Sequence, residues 1–170
     1  FYETERGMRW LELAKSQDYE FYTVPVEPVD GTNLLLPFYQ NEAQITEGRD
    51  ITGEEYEEGK NVCLISVELA RILRKGAGDS VTLPLYYAAY APAERHDNAF
   101  LYSILNAKGK VYPVFHEEDY EIAGIYKNMS VMVSGEHDLA VHEVIVPWNS
   151  IPENAWEDNI VRFEPMSEGN

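Results

Sequence analysis

The residues that could carry chemistry in this chain of 170 are one cysteine, four histidines and thirty carboxylates. Cys63 lies between Val62 and Leu64, in an apolar run that predicts a buried strand. A nucleophilic cysteine needs an exposed, electropositive setting that stabilises its thiolate. We therefore interpret Cys63 as an inert core thiol. A single cysteine also excludes an internal disulfide and any cysteine-based metal cluster.

The histidines do not have the spacing of a metal site. They are His96, His116, His137 and His142. Metal-binding pairs lie at i and i+4 on a helix or at i and i+2 on a strand, whereas His137 and His142 are five residues apart. We interpret the acidic region around His137 and His142, residues 136–143, as a surface loop. We interpret His116 with residues 117–119 as a charged turn.

Sequence patterns of the common enzyme classes are missing as well. The chain has no Gly-x-Ser-x-Gly nucleophile elbow and neither of the usual glycine-rich phosphate loops. Residues 75–79 (Lys-Gly-Ala-Gly-Asp) follow a predicted helix, whereas a phosphate loop precedes one, so their amides are oriented the wrong way. The acidic segment 42–60 lacks the ligand spacing of a calcium loop and is predicted to be a solvated connection. We expect no catalytic residue, no cofactor and no bound metal.

Charge and composition limit the partners. Thirteen basic residues against thirty acidic ones give a net charge of -17, which repels phosphate backbones and anionic bilayers. Nucleic-acid binding is therefore excluded. An apolar fraction of 45% and a charged fraction of 25% are typical of a folded globular domain. The chain begins with Phe1 and carries no leader, so we expect a piece of a longer protein or a processed product.

Hydrophobic patterning predicts an α+β fold: mixed sheets of short strands with two or three helices. The clearest unit is a strand at residues 61–65, a helix at residues 67–75 and a strand at residues 81–85. Ser66 can cap the helix. Gly76 and Gly78 can end it in the left-handed conformation. Two apolar stripes fit the helix, one with residues 67, 70 and 73 and the other with residues 69, 72 and 73.

The remaining elements are less regular. Residues 3–16 predict an amphipathic helix, and residues 19–29 a strand that Pro25 and Pro28 limit to an edge or an irregular form. A further strand is predicted at residues 86–90, with a hairpin partner at 100–105. Other strands are predicted at 111–115, 120–126, 131–133 and 144–146. A turn or short helix at 149–152 and a frayed tail from 164 follow them. Tyr86, Tyr87, Tyr90 and Tyr102 could form an aromatic contact surface, and packing within the strands explains them equally well.

Four motifs occur in a specific order along residues 40–150: Ile-Thr-Glu-Gly-Arg-Asp-Ile at 45–51, Val-Cys-Leu-Ile-Ser-Val-Glu-Leu-Ala at 62–70, Gly-Asp-Ser-Val-Thr-Leu at 78–83 and Tyr-Glu-Ile-Ala-Gly-Ile at 120–125. Together they resemble the core domain of MacB-like ABC transporter permeases, the extracytoplasmic module of FtsX-type permeases. The matching positions, which we interpret as architectural, are Glu47, Gly48, Arg49, Ser66, Leu69, Ala70, Gly78, Asp79, Gly124 and Pro147.

The resemblance implies one extracytoplasmic core domain over residues 1–170, without catalysis of its own. A separate cytoplasmic ATPase domain or subunit would hydrolyse ATP, and the permease would be a dimer. The domain would move with its own membrane helices and handle or export a substrate on the extracellular or periplasmic side. Both ends of the chain would then lie on the same side of the domain.

Two features depart from the family pattern. Residues 86–116 are longer and more aromatic than the pattern requires, which indicates an insertion. The chain also stops soon after the Val-Pro strand, so part of the family's core is rearranged or missing. The alternative function is a free-standing extracellular ligand-binding or adhesive module.

Overall fold

A closed circuit of six strands organises the protein. The structure is a computed structural model that describes residues 4–90, 102–103, 110, 112–129, 142–152 and 159–163. Its strands are β1 Val24–Val29, β2 Ala43–Gly48, β3 Val62–Ser66, β4 Ser80–Tyr90, β5 Tyr102–Ser103, β6 Val114–Asn128, β7 Val144–Pro147 and β8 Asn159–Phe163. Its helices are α1 Glu5–Tyr22, α2 Leu36–Tyr39, α3 Gly53–Glu58 and α4 Val67–Leu73, with 3₁₀ turns at Thr32–Leu34 and Trp148–Ser150.

Strand β6 closes the circuit because its two halves have different neighbours. Its first half pairs antiparallel with β4, and its second half pairs parallel with β3 and antiparallel with β2. From β3 the circuit continues antiparallel to β7, parallel to β1, antiparallel to β8 and antiparallel back to β4. This mixed sheet with several helices confirms the predicted α+β class.

Two hydrophobic clusters lie on opposite faces of the strands. Alternate residues of the circuit, such as Cys63, Leu83 and Val144, share one cluster with Leu69 of helix α4. We call this cluster the ring interior. The second cluster joins the opposite side chains of β3 and β7 to Tyr56 of α3 and Phe38 of α2. Helices α2 and α3 therefore cover the outer face of the sheet, and α4 contributes to the ring interior.

The predicted strand-helix-strand unit is confirmed as β3, α4 and the start of β4. The helix ends at Leu73, and the left-handed residue that follows it is Arg74, with φ of 54°, so the predicted glycine ending is wrong. Leu69 and Ala70 are buried, whereas Ile72 is 45% exposed, and Val67 packs against the core. The apolar stripe is therefore the one with residues 67, 70 and 73, with Leu69 added. β3 and β4 are not neighbours, because β6 lies between them.

The N-terminal prediction is wrong at residues 19–22, which belong to helix α1. Strand β1 begins only at Val24 and is not an edge strand, since it pairs with β8 and β7. Pro25 and Pro28 are tolerated because β8 and β7 pair with different parts of β1. Pro25 pairs only with β8 and Pro28 only with β7, and Val26 alone has partners on both sides. A missing amide is tolerated where the ladder is one-sided.

Two acidic segments predicted as irregular are regular. Residues 42–60 contain β2 and α3 rather than one solvated connection. Thr52 and Glu55 form a capping box at the start of α3, and left-handed Gly59 ends it. His116 and residues 117–119 lie within β6, not in a turn, because they pair with residues 82–85 of β4.

The later predictions have mixed outcomes. The hairpin of β4 with Tyr102–Ser103 is confirmed, as are the late strand β7 and the short helix after it. Among the described residues of the predicted strand at 111–115, Val114 and Phe115 belong to β6 and residues 112 and 113 do not. The predicted strand at residues 131–133 and the tail from 164 lie outside the described residues. No helix in the described part of the chain is both long and apolar enough to cross a membrane.

Candidate functional site

Three segments distant in sequence meet where β2 ends. Gly48 of β2 lies opposite Gly124 of β6 in the antiparallel ladder. The turn at residues 76–79 reaches the same place, since the amide of Gly78 donates to the carbonyl of Ile122 at 2.8 Å. The amide of Ile122 in turn donates to the carbonyl of Asp79 at 2.8 Å. We call residues 47–49, 76–79 and 122–124 the junction.

Two glycines let the backbones of the junction approach closely. A Cβ on Gly124 would lie inside van der Waals contact of the Arg49 carbonyl oxygen and 3.1 Å from the Glu47 carbonyl oxygen. Gly48 has φ of +72°, and a Cβ there would lie 3.0 Å from the Gly124 Cα and closer still to the Ala123 carbonyl oxygen. Side chains are therefore excluded from both positions by backbone atoms, which cannot rotate away.

The pairing of β6 with β3 and with β2 is irregular at or beside the junction. Against β3, the register passes from Ile122 directly to Gly124, which leaves Ala123 as an extra residue. Against β2, the register skips Thr46, whose hydroxyl donates to the Ile125 carbonyl at 3.2 Å. Bulges bend a strand and increase its twist. Ala123 lies between Glu121, the last residue of β6 that pairs with β4, and Gly124, the first that pairs with β2, whereas Thr46 is an extra residue of β2.

Polar side chains of the junction bind neighbouring segments of the protein. Oε1 of Glu47 accepts a hydrogen bond from the Ala77 amide at 2.9 Å. Oδ2 of Asp79 accepts one from the Gly76 amide at 2.7 Å, which closes the turn on itself. Each of these two carboxylates thus has an oxygen bonded to a backbone amide, which holds the turn in place.

Arg49 connects the junction to helix α3. Its guanidinium donates from Nη1 and Nη2 to the two carboxylate oxygens of Glu55, at 2.7 and 2.8 Å. Glu55 also accepts from the Thr52 amide at 2.9 Å within the capping box. The hydrogen bond from Arg49, followed by those from Thr52, lowers the pKa of Glu55 to about 2, and it raises the pKa of Arg49.

The other motif positions lie away from the junction. Ser66 ends β3 and accepts a hydrogen bond from the Leu69 amide at 3.1 Å, which caps helix α4. Leu69 and Ala70 belong to the ring interior. Pro147 ends β7 and precedes the 3₁₀ turn at Trp148–Ser150. The structure thus brings together Glu47, Gly48, Arg49, Gly78, Asp79 and Gly124, and leaves Ser66, Leu69, Ala70 and Pro147 in two other places.

A shallow cleft lies beside the junction, between helix α4 and the β2–β6 pair. It is open to solvent and has a volume of about 450 Å³. Val67, Ala70 and Ile125 form its apolar part, and it is bordered by three cations of the helix end, Arg71, Arg74 and Lys75. Sequence reasoning missed this cleft because Ile125 of β6 lies 55 residues beyond Ala70 of α4 along the chain.

Within the described part of the chain, the cysteine and histidine side chains first considered for chemistry lie in separate places. Cys63 is fully buried, and burial raises the pKa of its thiol. His116 stacks on Phe115 in β6, with ring centroids 6.4 Å apart. His96 and His137 lie outside the described residues. Of the four tyrosines, Tyr86, Tyr87 and Tyr90 belong to β4 and Tyr102 to β5, and Tyr86 is buried. Among the described residues, no three His, Cys, Asp or Glu side chains are grouped so that they could hold a metal ion.

Comparisons with known proteins give little similarity. No family model and no curated protein matches the chain. Among solved structures, the periplasmic region of MacB from Actinobacillus actinomycetemcomitans is similar at 9% sequence identity and a TM-score of 0.37. The match covers 79% of this chain and 46% of the MacB chain, so this chain spans less than half the length of that protein region. A TM-score this low carries neither fold nor function from one protein to the other.

Proposed function

We propose that this chain is a non-catalytic extracytoplasmic domain of an FtsX-type ABC transporter permease. In this role it couples the movement of membrane helices to the handling or export of a substrate outside the cytoplasm. The observation that carries the proposal is the junction. Three of the four motifs that resemble the permease family, separate in sequence, meet there and hold one another through backbone contacts.

The chemistry of the junction suits a mechanical role better than a catalytic one. The carboxylates of Glu47 and Asp79 accept hydrogen bonds from backbone amides, and Arg49 is paired with Glu55. A catalytic acid or base must exchange its proton with a substrate. Groups bonded in this way instead fix the relative positions of β2, β6, α3 and the turn before β4, as a domain that transmits force requires.

The proposed partners follow from the same role. They are the membrane helices of the full protein, a cytoplasmic ATPase domain or subunit that supplies the energy, and a second copy of the permease. Residues 1–170 would form a single domain, and both of its ends would lie on the side facing the membrane. Phe1 lies outside the described residues, so this placement of the ends stays a prediction.

The test is the topology of the full-length protein in its own membrane. We expect an apolar helix on each side of this segment in the complete reading frame. Glu54 is exposed, so a Glu54→Cys variant should react with a membrane-impermeant maleimide in intact cells. The native Cys63 is buried and serves as the unlabelled background. Labelling only after lysis, or a reading frame without flanking helices, would contradict the proposal.

One observation favours the alternative of a free-standing extracellular contact module. The ten residues from 31 to 40 carry no charge. Within them Leu34 is 69% exposed and Tyr39 is 76% exposed. Exposed apolar side chains in a group often mark a contact surface. A reading frame with a secretion signal and no membrane helices, together with binding of the purified chain to cells, would favour this second function.

A further inference from the structure

We propose that the pairing of β8 with β1 is a clasp, which opens and closes while the other strands of the circuit stay paired. The clasp consists of Val24–Val26 of β1 and Val161–Phe163 of β8. Its opening would convert the closed circuit into an open sheet and expose one side of the ring interior. The clasp depends only on the strands of this chain, whereas its use in transport rests on the proposed function.

Strand β8 is held unequally by its two neighbours. All of its residues, 159–163, pair with Leu85–Ala89 of β4, whereas of these residues only 161–163 pair with β1. The middle pair of the clasp joins Pro25 to Arg162, and proline has no backbone amide to donate to a ladder. When β8 separates from one neighbour, we therefore expect it to leave β1 and to stay on β4.

The pairing of β3 with β7 is also short, but it is covered on both faces of the sheet. Its four paired residues are all buried: Leu64, Ile65, Val144 and Ile145. One pair belongs to the ring interior and the other to the cluster under α2 and α3. In the clasp, Val24 and Val26 belong to the ring interior, whereas Pro25, on the other face, is only half-buried. Opening the clasp therefore exposes less apolar surface and costs less free energy.

The chain enters and leaves the circuit at the same end of the clasp. Helix α1 ends at Tyr22 and β1 begins at Val24, which pairs with Phe163, the last residue of β8. A force that pulls apart the segments before β1 and after β8 therefore acts across the end of the ladder. The pairs then separate one after another, because each bears the load alone. In the proposed role, membrane helices that move apart would open the clasp first.

Thiol labelling of the 170-residue chain with a maleimide tests the clasp. Cys63 of β3 is 0% exposed and reports opening at that strand. In a Cys63→Ala background, Val26→Cys reports opening of the clasp, with Val24→Cys as a second reporter. Val144→Cys, on β7, reports opening beyond the clasp. Each rate is divided by the rate of the same thiol in urea. We expect Val26→Cys to react at least about tenfold faster than Val144→Cys and Cys63, because local opening requires less free energy.

A disulfide across the clasp provides the matched lock. Pro25→Cys with Arg162→Cys joins directly paired residues, and Thr82→Cys with Asp119→Cys joins directly paired residues of β4 and β6 as the control. Both pairs meet the distance requirement of a disulfide, because opposite residues of antiparallel strands lie about 4.5–5.5 Å apart. We expect the first disulfide to slow labelling of Val26→Cys at least about tenfold and the second to leave it unchanged.

Three results would overturn the proposal. They are equal normalised rates for the clasp reporters, Val144→Cys and Cys63, a labelling rate that the clasp disulfide leaves unchanged, and equal slowing by the two disulfides. Since all of these rates belong to the isolated chain, they are independent of the membrane topology that tests the proposed function.

Discussion

Replacing Gly124 with alanine tests whether the junction is as tightly packed as its geometry indicates. The added methyl would overlap the Arg49 carbonyl oxygen and would lie 3.1 Å from the Glu47 carbonyl oxygen. Ordinary contacts of a Cβ begin at about 3.4 Å, and both obstructing atoms belong to the backbone of the β2 end. The new methyl can therefore be accommodated only if the end of β2 moves away from β6.

The loss of stability has two parts, the overpacking itself and one weakened hydrogen bond. Overpacking a well-packed site costs about 1–3 kcal/mol. The shift would also weaken the 3.0 Å hydrogen bond from the Arg49 amide to the Ala123 carbonyl, at about 1 kcal/mol. We expect Gly124→Ala to lower the free energy of unfolding by about 3 kcal/mol. For a chain of this size, this lowers Tm by roughly 6–12 °C.

Urea unfolding followed by tryptophan fluorescence and circular dichroism measures this loss. The matched control is Gly53→Ala at the start of α3, where no atom lies within 4 Å of the new Cβ, so stability should change by less than about 1 kcal/mol. Gly78→Ala adds a methyl in open space at φ of +91° and should show backbone strain alone, about 1–2 kcal/mol. A loss below about 0.5 kcal/mol in Gly124→Ala, or an equal loss in Gly53→Ala, would refute the reasoning.

Three further predictions concern other parts of the fold. Leu69→Ala should lower the free energy of unfolding by about 2–5 kcal/mol because Leu69 is fully buried, whereas Ile72→Ala, at a side chain 45% exposed, should cost less than about 1 kcal/mol in the same urea titration. Burial raises the pKa of Cys63, so we expect no reaction with a disulfide reagent until urea unfolds the chain. The pKa of Glu55 is lowered to about 2, so its ionised form stabilises the fold fully above pH 4.5. We expect this contribution, about 1–2 kcal/mol after screening at half-exposed Arg49, to be lost as the pH falls from 4.5 to 2. Urea titrations over that pH range should show a smaller loss of unfolding free energy in Arg49→Gln than in the parent. An equal loss in both proteins would contradict the assignment to the Arg49–Glu55 pair.

The sequence predicted the strand-helix-strand unit because its signals are local. A serine precedes the helix, and the strand before it is uniformly apolar; the structure has all five residues of β3 buried. The α+β class followed from several such runs. These features depend on neighbours along the chain, which a sequence displays directly.

The acidic segments were predicted wrongly because their regularity depends on distant partners. In β2 only Ala43 is buried and most other side chains are exposed, so hydrophobicity does not mark it as a strand. The acidic run in β6 is likewise held by pairing with β4 rather than by burial. One local signal was available, since Thr52 and Glu55 have the spacing of a capping box, and it would have placed the start of α3.

The meeting of Gly48 with Gly124 could not be derived from residue types, because 75 residues separate them along the chain. The Glu-Gly-Arg pattern gains its meaning only in three dimensions. Glu47 lines the cationic cleft and holds the turn after α4. Arg49 binds α3 on the outer face of the sheet, and Gly48 between them allows the contact with β6. These three consecutive residues therefore link helix α3, on the outer face of the sheet, to the turn that follows α4.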